Sequence, residues 1–267
     1  MKKILFTDID GTLINSNHQV TPLTKLAIQN WIAQGNLFVP VSARNPAGIA
    51  TVARKITTSY AFGAFNGGLI YDHKGQLLQS ITMPFTLVQQ LLATVTSKCG
   101  STVSWNLYAF NRWYCLQPKT AAIKQEEAIV ASSAVPISLA KLAHEPLNRV
   151  HKILLIGPPA RLIRLKKMLS TLLPSLDYVN SAPHLLEIIP QGVSKSAVVP
   201  LLSAHYHVSS ANTWAFGDNY NDETLLATVT HSYLMGNAPS DLKAKFKHIT
   251  RDHNHDGIYC ALAKHYA

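Results

Sequence analysis

Ile4-Leu5-Phe6-Thr7-Asp8-Ile9-Asp10-Gly11-Thr12 is the stretch that decides how this chain folds. Residues 4–9 form a short, nearly continuous apolar run, the pattern of a strand covered on both faces. Two carboxylates, Asp8 and Asp10, stand two apart at its end, so strand periodicity places them on one face. Gly11 then permits a sharp turn. Carboxylates side by side repel unless a cation or a proton lies between them. Mg2+, a hard ion that takes oxygen ligands, suits such a pair. A strand ending in an Asp-rich turn is the plainer reading of the same residues. On this stretch alone both stay open.

The alternation of strand and helix continues outward from there. Thr21-Pro22 opens a helix, with Thr21 as N-cap and Pro22 in the first turn, and Gly35 closes it. Residues 37–41 read as the second strand, 46–56 as the second helix and 60–65 as the third strand. Asn66-Gly67-Gly68 is a turn, and 69–71 with 76–81 form a hairpin about Asp72-His73-Lys74-Gly75. From about Met83 the pattern changes to an α+β unit. It has helices over 86–96, 120–130 and 159–172, strands over 102–107, 113–116, 150–156 and 176–180, and an ambiguous stretch from Val135 to Ala143. The β/α alternation resumes at 184–189 and ends in a short strand at 248–250. The expected fold is therefore α/β, a doubly wound Rossmann-like parallel sheet with an inserted α+β domain. The core is expected at 1–82 and 185–267, and the insert at 83–184. In such sheets ligands bind beyond the carboxyl ends of the strands.

Composition narrows the class. Of 267 residues 47% are hydrophobic and only 14% charged, which suits a buried core and argues against disorder. No apolar run approaches a membrane span, and Asp8 interrupts the N-terminal run too early for a secretory leader. The three cysteines, Cys99, Cys115 and Cys260, show no close pairing, so a reducing cytoplasm is expected. The net charge is +10. Residues 83–184 carry 11 Lys and Arg against 4 Asp and Glu, the rest of the chain 13 against 10. Nucleic-acid binding is one reading of that excess. A solvated basic face on the helix containing Arg161, Arg164, Lys166 and Lys167 is the plainer one, and nucleic acid is not expected as a partner.

Further polar residues fall where the site of such a sheet would be. Gly217-Asp218-Asn219-Tyr220-Asn221-Asp222 follows a strand and opens a helix. Capping accounts for one or two of its acids and amides, but less well for the whole cluster. Ser42, in Val41-Ser42-Ala43-Arg44, ends the second strand. Its hydroxyl reads either as part of an anion site or as a plain cap for the helix near Pro46. Lys195 sits at another helix start, where a cation opposes the helix dipole and hints at an anionic partner.

In this order and at these spacings, the four motifs resemble the haloacid dehalogenase (HAD) superfamily. More narrowly, the chain is similar to Cof-type phosphatases with a type II cap inserted between the second and third motifs. Phe65-Asn66-Gly67-Gly68, Met235-Gly236-Asn237-Ala238 and Asp256-Gly257-Ile258 also match that subfamily, and the resemblance covers essentially the whole chain. It implies Asp8 as a nucleophile that forms an aspartyl-phosphate, and Asp10 as general acid and base. Asp8, the backbone carbonyl of Asp10, Asp218 and Asp222 would hold Mg2+. Ser42, Ala43, Lys195 and Asn221 would hold phosphoryl oxygens, with Arg44 and Asn66 facing the substrate. The second motif more often reads Thr-Gly-Arg. Ala43 adds a methyl where the backbone approaches phosphate, which points to lower activity rather than none. The resemblance thus implies a Mg2+-dependent phosphatase acting on a small phosphorylated metabolite, foremost a sugar phosphate. A phosphomutase on the same chemistry and a non-catalytic binder of phosphorylated metabolites are the alternatives.

Overall fold

The structure, a computed structural model, describes residues 1–116, 118–130, 132–142, 144 and 149–263. In chain order it begins β1 (Ile4–Thr7), α1 (Pro22–Ala33), β2 (Leu37–Pro40), α2 (Pro46–Ala53), β3 (Phe62–Ala64), β4 (Leu69–Tyr71) and β5 (Leu77–Ser80). It continues with α3 (Phe85–Cys99), β6 (Ser104–Ala109), β7 (Arg112–Leu116), α4 (Ala121–Val130), β8 (Val135–Ile137), α5 (Leu139–Leu142), β9 (Lys152–Ile156), α6 (Pro159–Leu172), β10 (Leu176–Ala182) and β11 (Leu185–Pro190). The last elements are α7 (Val198–His205), β12 (Thr213–Gly217), α8 (Glu223–Thr228), β13 (His231–Leu234), α9 (Ser240–Lys243) and α10 (Gly257–Ala263). Contacts divide the chain into two compact units. One comprises Met1–Arg44, Ile49–Gln79 and Ser194–Ala267, the other Asn45–Gly48 and Ser80–Val193.

The first unit is built on a parallel sheet of order β13-β12-β1-β2. All four residues of β1 are buried because both faces of the sheet are covered. Ile4 and Phe6 join Val198, Val199, Leu202, Leu225, Leu226 and Leu242 from α7, α8 and α9. On α1, Ile28 and Trp31 are buried, and Trp31 meets Trp214 of β12 edge-on at 5.5 Å. The α1 start follows the sequence reading: Thr21 caps it by accepting from the Thr24 N–H, and Pro22 follows. Beyond its end Gly35 has a φ of 81°, where a side chain would be strained.

Two strands expected in the parallel sheet are reduced. The third, β3, makes one parallel bridge, Gly63 to Val41 just past β2, and pairs antiparallel with β4 in a separate sheet of order β3-β4-β5. Residues 248–250 contribute one bridge, Leu234 to Ile249, rather than a strand. The hairpin turn between β4 and β5 is held by Asp72, whose Oδ1 accepts from the N–H groups of Lys74 and Gln76.

The second unit is a six-stranded sheet of order β10-β11-β9-β6-β7-β8, antiparallel except for the β7–β8 pair. Trp105, Leu107, Ile153, Leu155, Leu186 and Ile188 share one core with the buried stripes of α3 and α6. The ambiguous stretch from Val135 resolves into β8 and α5, and Ala143 lies outside the described residues. The strand expected at 184–189 to resume the core belongs here instead. As β11 it runs antiparallel between β10 and β9, so the division falls between Val193 and Ser194. An apolar strand reads the same in either sheet, because its pairing partners leave no mark on its own composition. No helix among the described residues is long and apolar enough to cross a membrane.

Candidate active site

β1 stops at Thr7, and Asp8 extends it by one bond, its N–H donating to the Phe216 carbonyl at 3.0 Å. That places Asp8 beside the end of β12, with 5% of its surface exposed. Lys195 arrives from a 3-10 turn, Lys195–Ala197, capped by Ser194, whose hydroxyl accepts from the Ser196 N–H. Its Nζ donates to Asp8 Oδ1 at 2.5 Å and to Asp222 Oδ1 at 2.6 Å, and only 1% of the residue is exposed. The other oxygen of Asp222, Oδ2, accepts from the N–H groups of Asp218 and Asn219. Asn219 and Asp222 make a reciprocal capping box. Capping and ion pairing are thus the same arrangement, one for each carboxylate oxygen.

Glycines let these groups converge. A Cβ on Gly11, where φ is 83°, would lie 2.4 Å from Asp218 Oδ2. One on Gly217 would lie 2.5 Å from the Asp222 Cβ. Thr12 Oγ1 donates to Asp218 Oδ1 at 2.8 Å. Asp8, Asp218 and Asp222 end with ligand atoms all within 4.8 Å of one another.

Burial pushes the Asp8 carboxyl well above the usual range; Lys195 opposes this, and Asp222 and Asp218 reinforce it. Asp218 is raised to about 6, by burial first and then by Asp222, against the Thr12 hydrogen bond. Burial works against the charge on Lys195, but Asp222 and Asp8 outweigh it and raise its pKa. Three carboxylates face one ammonium, so the cluster carries surplus negative charge. All-oxygen donors with that surplus fit a hard dication such as Mg2+. Asp222 already accepts three hydrogen bonds, which leaves Asp8 and Asp218 the more open ligands.

Asp10 stands close enough for its charge to help raise the Asp8 and Asp218 carboxyls, while its own carboxylate is held by Arg44. The strand period ends at Thr7, and the Leu13 and Ile14 N–H groups both turn back to the Ile9 carbonyl. The Asp10 side chain is 49% exposed and pairs with Arg44, Nε to Oδ2 at 2.8 Å and Nη2 to Oδ1 at 2.6 Å. It is not in the group of three carboxylates.

Ser42 is buried, and its Oγ accepts from the Arg44 N–H at 3.2 Å. The cap at the start of α2, one reading of Ser42, is supplied by Asn45, whose Oδ1 accepts from the Gly48 N–H at 2.8 Å. Asn66 stands at φ 55°, ψ 36°, and its N–H donates to the Ser42 carbonyl. Its buried Oδ1 has no hydrogen-bond partner. A Cβ on Gly67 would lie 2.6 Å from the Ser194 carbonyl, so the turn at 65–67 and the Lys195 turn meet backbone to backbone. Ala43 is half-buried and Asn221 exposed.

Residues 5–262 match the haloacid dehalogenase-like hydrolase family. The chain belongs to that family. Among relatives, a Haemophilus influenzae protein named as a candidate phosphatase is 28% identical over 263 residues, covering 98% of this chain and 97% of the relative. An HMP-PP phosphatase of Serratia proteamaculans is 27% identical over 247 residues, covering 91% and 87%. A solved haloacid dehalogenase-like hydrolase from Bacteroides thetaiotaomicron superposes with a TM-score of 0.90 at 23% identity, covering 99% of each chain.

Within this hydrolase the fold gathers Asp8, Lys195, Asp218 and Asp222 into one cluster, and Ser42, Arg44 and Asn66 into a second, hydrogen-bonded set. Arg44 links the second set to Asp10. Two residues in contact with the cluster were given no role by sequence reasoning, Thr12 and Asn237. Both lie in stretches that stood out, but their bonds to Asp218 span 206 and 19 positions, which no local pattern reports.

Proposed function

We propose that this hydrolase is a Mg2+-dependent phosphatase that releases phosphate from a small phosphorylated metabolite through an aspartyl-phosphate on Asp8. The observation that carries the reading is the buried Asp8–Lys195 ion pair beside Asp218 and Asp222. The pair is buried, and a lysine beside the carboxylate favours the ionised nucleophile.

Asp8, Asp218 and Asp222, with the backbone carbonyl of Asp10, would hold the ion. Mg2+ bound there supplies charge stabilisation for the phosphoryl oxygens and the surrounding carboxylates. An Asp8 carboxylate oxygen attacks phosphorus as the bond to the leaving oxygen breaks. Asp10, protonated for this step, gives its proton to the departing alkoxide. The Asp10 carboxylate then takes a proton from water as that water attacks the phosphoryl group. Asp8 is regenerated and inorganic phosphate leaves. Lys195 offsets charge on the transferring group, and Ser42, Ala43 and Asn221 hold its oxygens. The Arg44 pair orients Asp10 between its two proton transfers, and Arg44 and Asn66 contact the remainder of the substrate.

A sugar phosphate is the leading substrate class. One structural neighbour is titled a HAD subclass IIB sugar phosphatase, at 21% identity and a TM-score of 0.81. HMP-PP belongs in the same test because the Serratia relative is named for it. The cytoplasm is the proposed compartment; the three cysteines are free thiols.

The test is phosphate release from a panel of sugar phosphates and HMP-PP, with Mg2+, with chelator, and with Asp8→Asn. Turnover that needs both the metal and Asp8 supports the reading. Turnover in Asp8→Asn equal to that of the unaltered protein would remove Asp8 as nucleophile. An isomerised sugar in place of free phosphate would make the enzyme a mutase.

A further inference from the structure

Met235-Gly236-Asn237-Ala238 has no part in the mechanism above, yet Asn237 is bonded to the carboxylate cluster. β13 lies beside β12, so the chain leaving β13 emerges next to Asp218. Asn237 Nδ2 donates to the Gly11 carbonyl at 2.9 Å and to Asp218 Oδ2 at 3.2 Å. Its Oδ1 accepts from the His253 N–H at 3.2 Å. The amide has one sensible orientation: reversed, its oxygen would face a carbonyl and a carboxylate. Thr12 serves the other oxygen of Asp218. One neutral donor therefore restrains each oxygen of the carboxylate, and each comes from a segment outside the 217–222 motif.

The loop behind Asn237 is anchored in its turn. Asn254 Oδ1 accepts from the Ser16 N–H at 3.0 Å, and Asn254 Nδ2 donates to Ser16 Oγ at 3.1 Å. Asp256 accepts from the hydroxyl of Thr21, the cap of α1. The Gly236 N–H donates to the Arg251 carbonyl. Residues 251–256 thus hold Asn237 against the turn that follows β1.

We propose that Asn237 is a positioning residue for the metal: it aims the Asp218 carboxylate and ties the Gly11 turn to it, with the His253 N–H holding its amide in place. A neutral donor suits this task. It restrains the carboxylate without cancelling the charge a cation needs, as a lysine would. The proposal rests on the reading of the cluster as a Mg2+ site.

The experiment is calorimetric titration of Mg2+ into the full chain as Asn237→Ala and Asn237→Ser, beside the unaltered protein. It is paired with turnover against Mg2+ concentration and thermal melts in chelator. Alanine removes the donor, and serine keeps a hydroxyl too short to reach both acceptors. Loss of an outer partner of a metal ligand weakens metal binding roughly 10- to 100-fold. The expected result is a shift of that order in the Mg2+ dissociation constant, turnover restored at high Mg2+, and an unchanged melt in chelator. Unchanged Mg2+ affinity would overturn the proposal, as would lost turnover that Mg2+ does not restore. Failure of both variants to fold would also overturn it, since Asn237 would then hold the loop rather than the carboxylate. Absence of Mg2+ binding by the unaltered protein would remove the metal reading itself, and this proposal with it.

Discussion

Each unit buries a lysine against carboxylate, and the two are built differently. Lys195 lies beyond the ends of parallel strands, 2.5 and 2.6 Å from two carboxylates, one of which also accepts two backbone N–H groups. Lys152 lies within an antiparallel sheet, 3.6 Å from Glu187 on the strand antiparallel to its own, and Glu187 Oε2 is buried with no hydrogen bond. Within a ladder the backbone donors are committed to neighbouring strands, and only side chains can answer a buried charge. At strand ends the backbone turns, its N–H groups come free, and carboxylates from distant motifs can share one cation. The difference shows why a parallel sheet carries its chemistry at its carboxyl edge.

The largest effect should come from Lys195→Met, which leaves Asp8 and Asp222 buried without their cation. Breaking a buried pair this way costs on the order of 3–5 kcal/mol, readable in urea unfolding. The double replacement Lys152→Met with Glu187→Met should fall within about 1–2 kcal/mol of the unaltered protein, because a loose buried pair replaced by apolar groups of similar volume is often neutral. Equal losses in the two experiments would break the comparison.

A smaller effect is expected from Gly11→Ala. The new methyl would meet Asp218 Oδ2 and would sit on a backbone with φ of 83°. Moving that carboxylate should weaken Mg2+ binding by roughly tenfold or more, as loss of ligand support does elsewhere, in a calorimetric titration. Gly75→Ala also has positive φ but meets nothing within 4 Å. It should cost about 1 kcal/mol of stability and leave Mg2+ affinity unchanged.

The smallest effects, and opposite ones, should come from pH. Asp218 is raised to about 6 without metal, so its folded form holds a proton that the unfolded chain has lost. Its contribution to stability is full below the unfolded carboxyl pKa and is lost as pH rises through about 6. Mg2+ competes with that proton, so the rise in melting temperature on adding Mg2+ should grow as pH goes from 5 to about 7.5. His151, in the second unit, is lowered to about 4 by burial and then by Arg149. Its contribution is full above the unfolded value of 6.5 and is lost as pH falls from there toward about 4. Melts from pH 4 to 8 with chelator, repeated with His151→Gln, separate the two trends. A Mg2+ effect that is flat across pH 6 would sink the Asp218 assignment.

Much of this was legible in the residues. Apolar runs bounded by turn residues marked β1 and β2, because a strand covered on both faces needs apolar side chains throughout. Thr21, Pro22 and Gly35 marked both ends of α1. Gly11, beside acids at a strand end, marked a sharp turn, and the structure shows that a Cβ there would also meet Asp218. These are local requirements, and local requirements leave local marks.

The tertiary structure decided the rest. Whether the apolar strand at 185–190 joined the parallel sheet or the antiparallel one depended on its partners. That Arg44 grips Asp10 depended on a contact between residues 34 positions apart. That Asp222 caps a turn and grips Lys195 with opposite oxygens, and that Asn237 and Thr12 hold Asp218 from either side, are matters of distance between groups far apart in the chain. Sequence determined which side chains were available and how each element begins and ends. Only the packed fold could decide which of them meet, because a hydrogen bond is set by a few tenths of an ångström in space and not by separation along the chain.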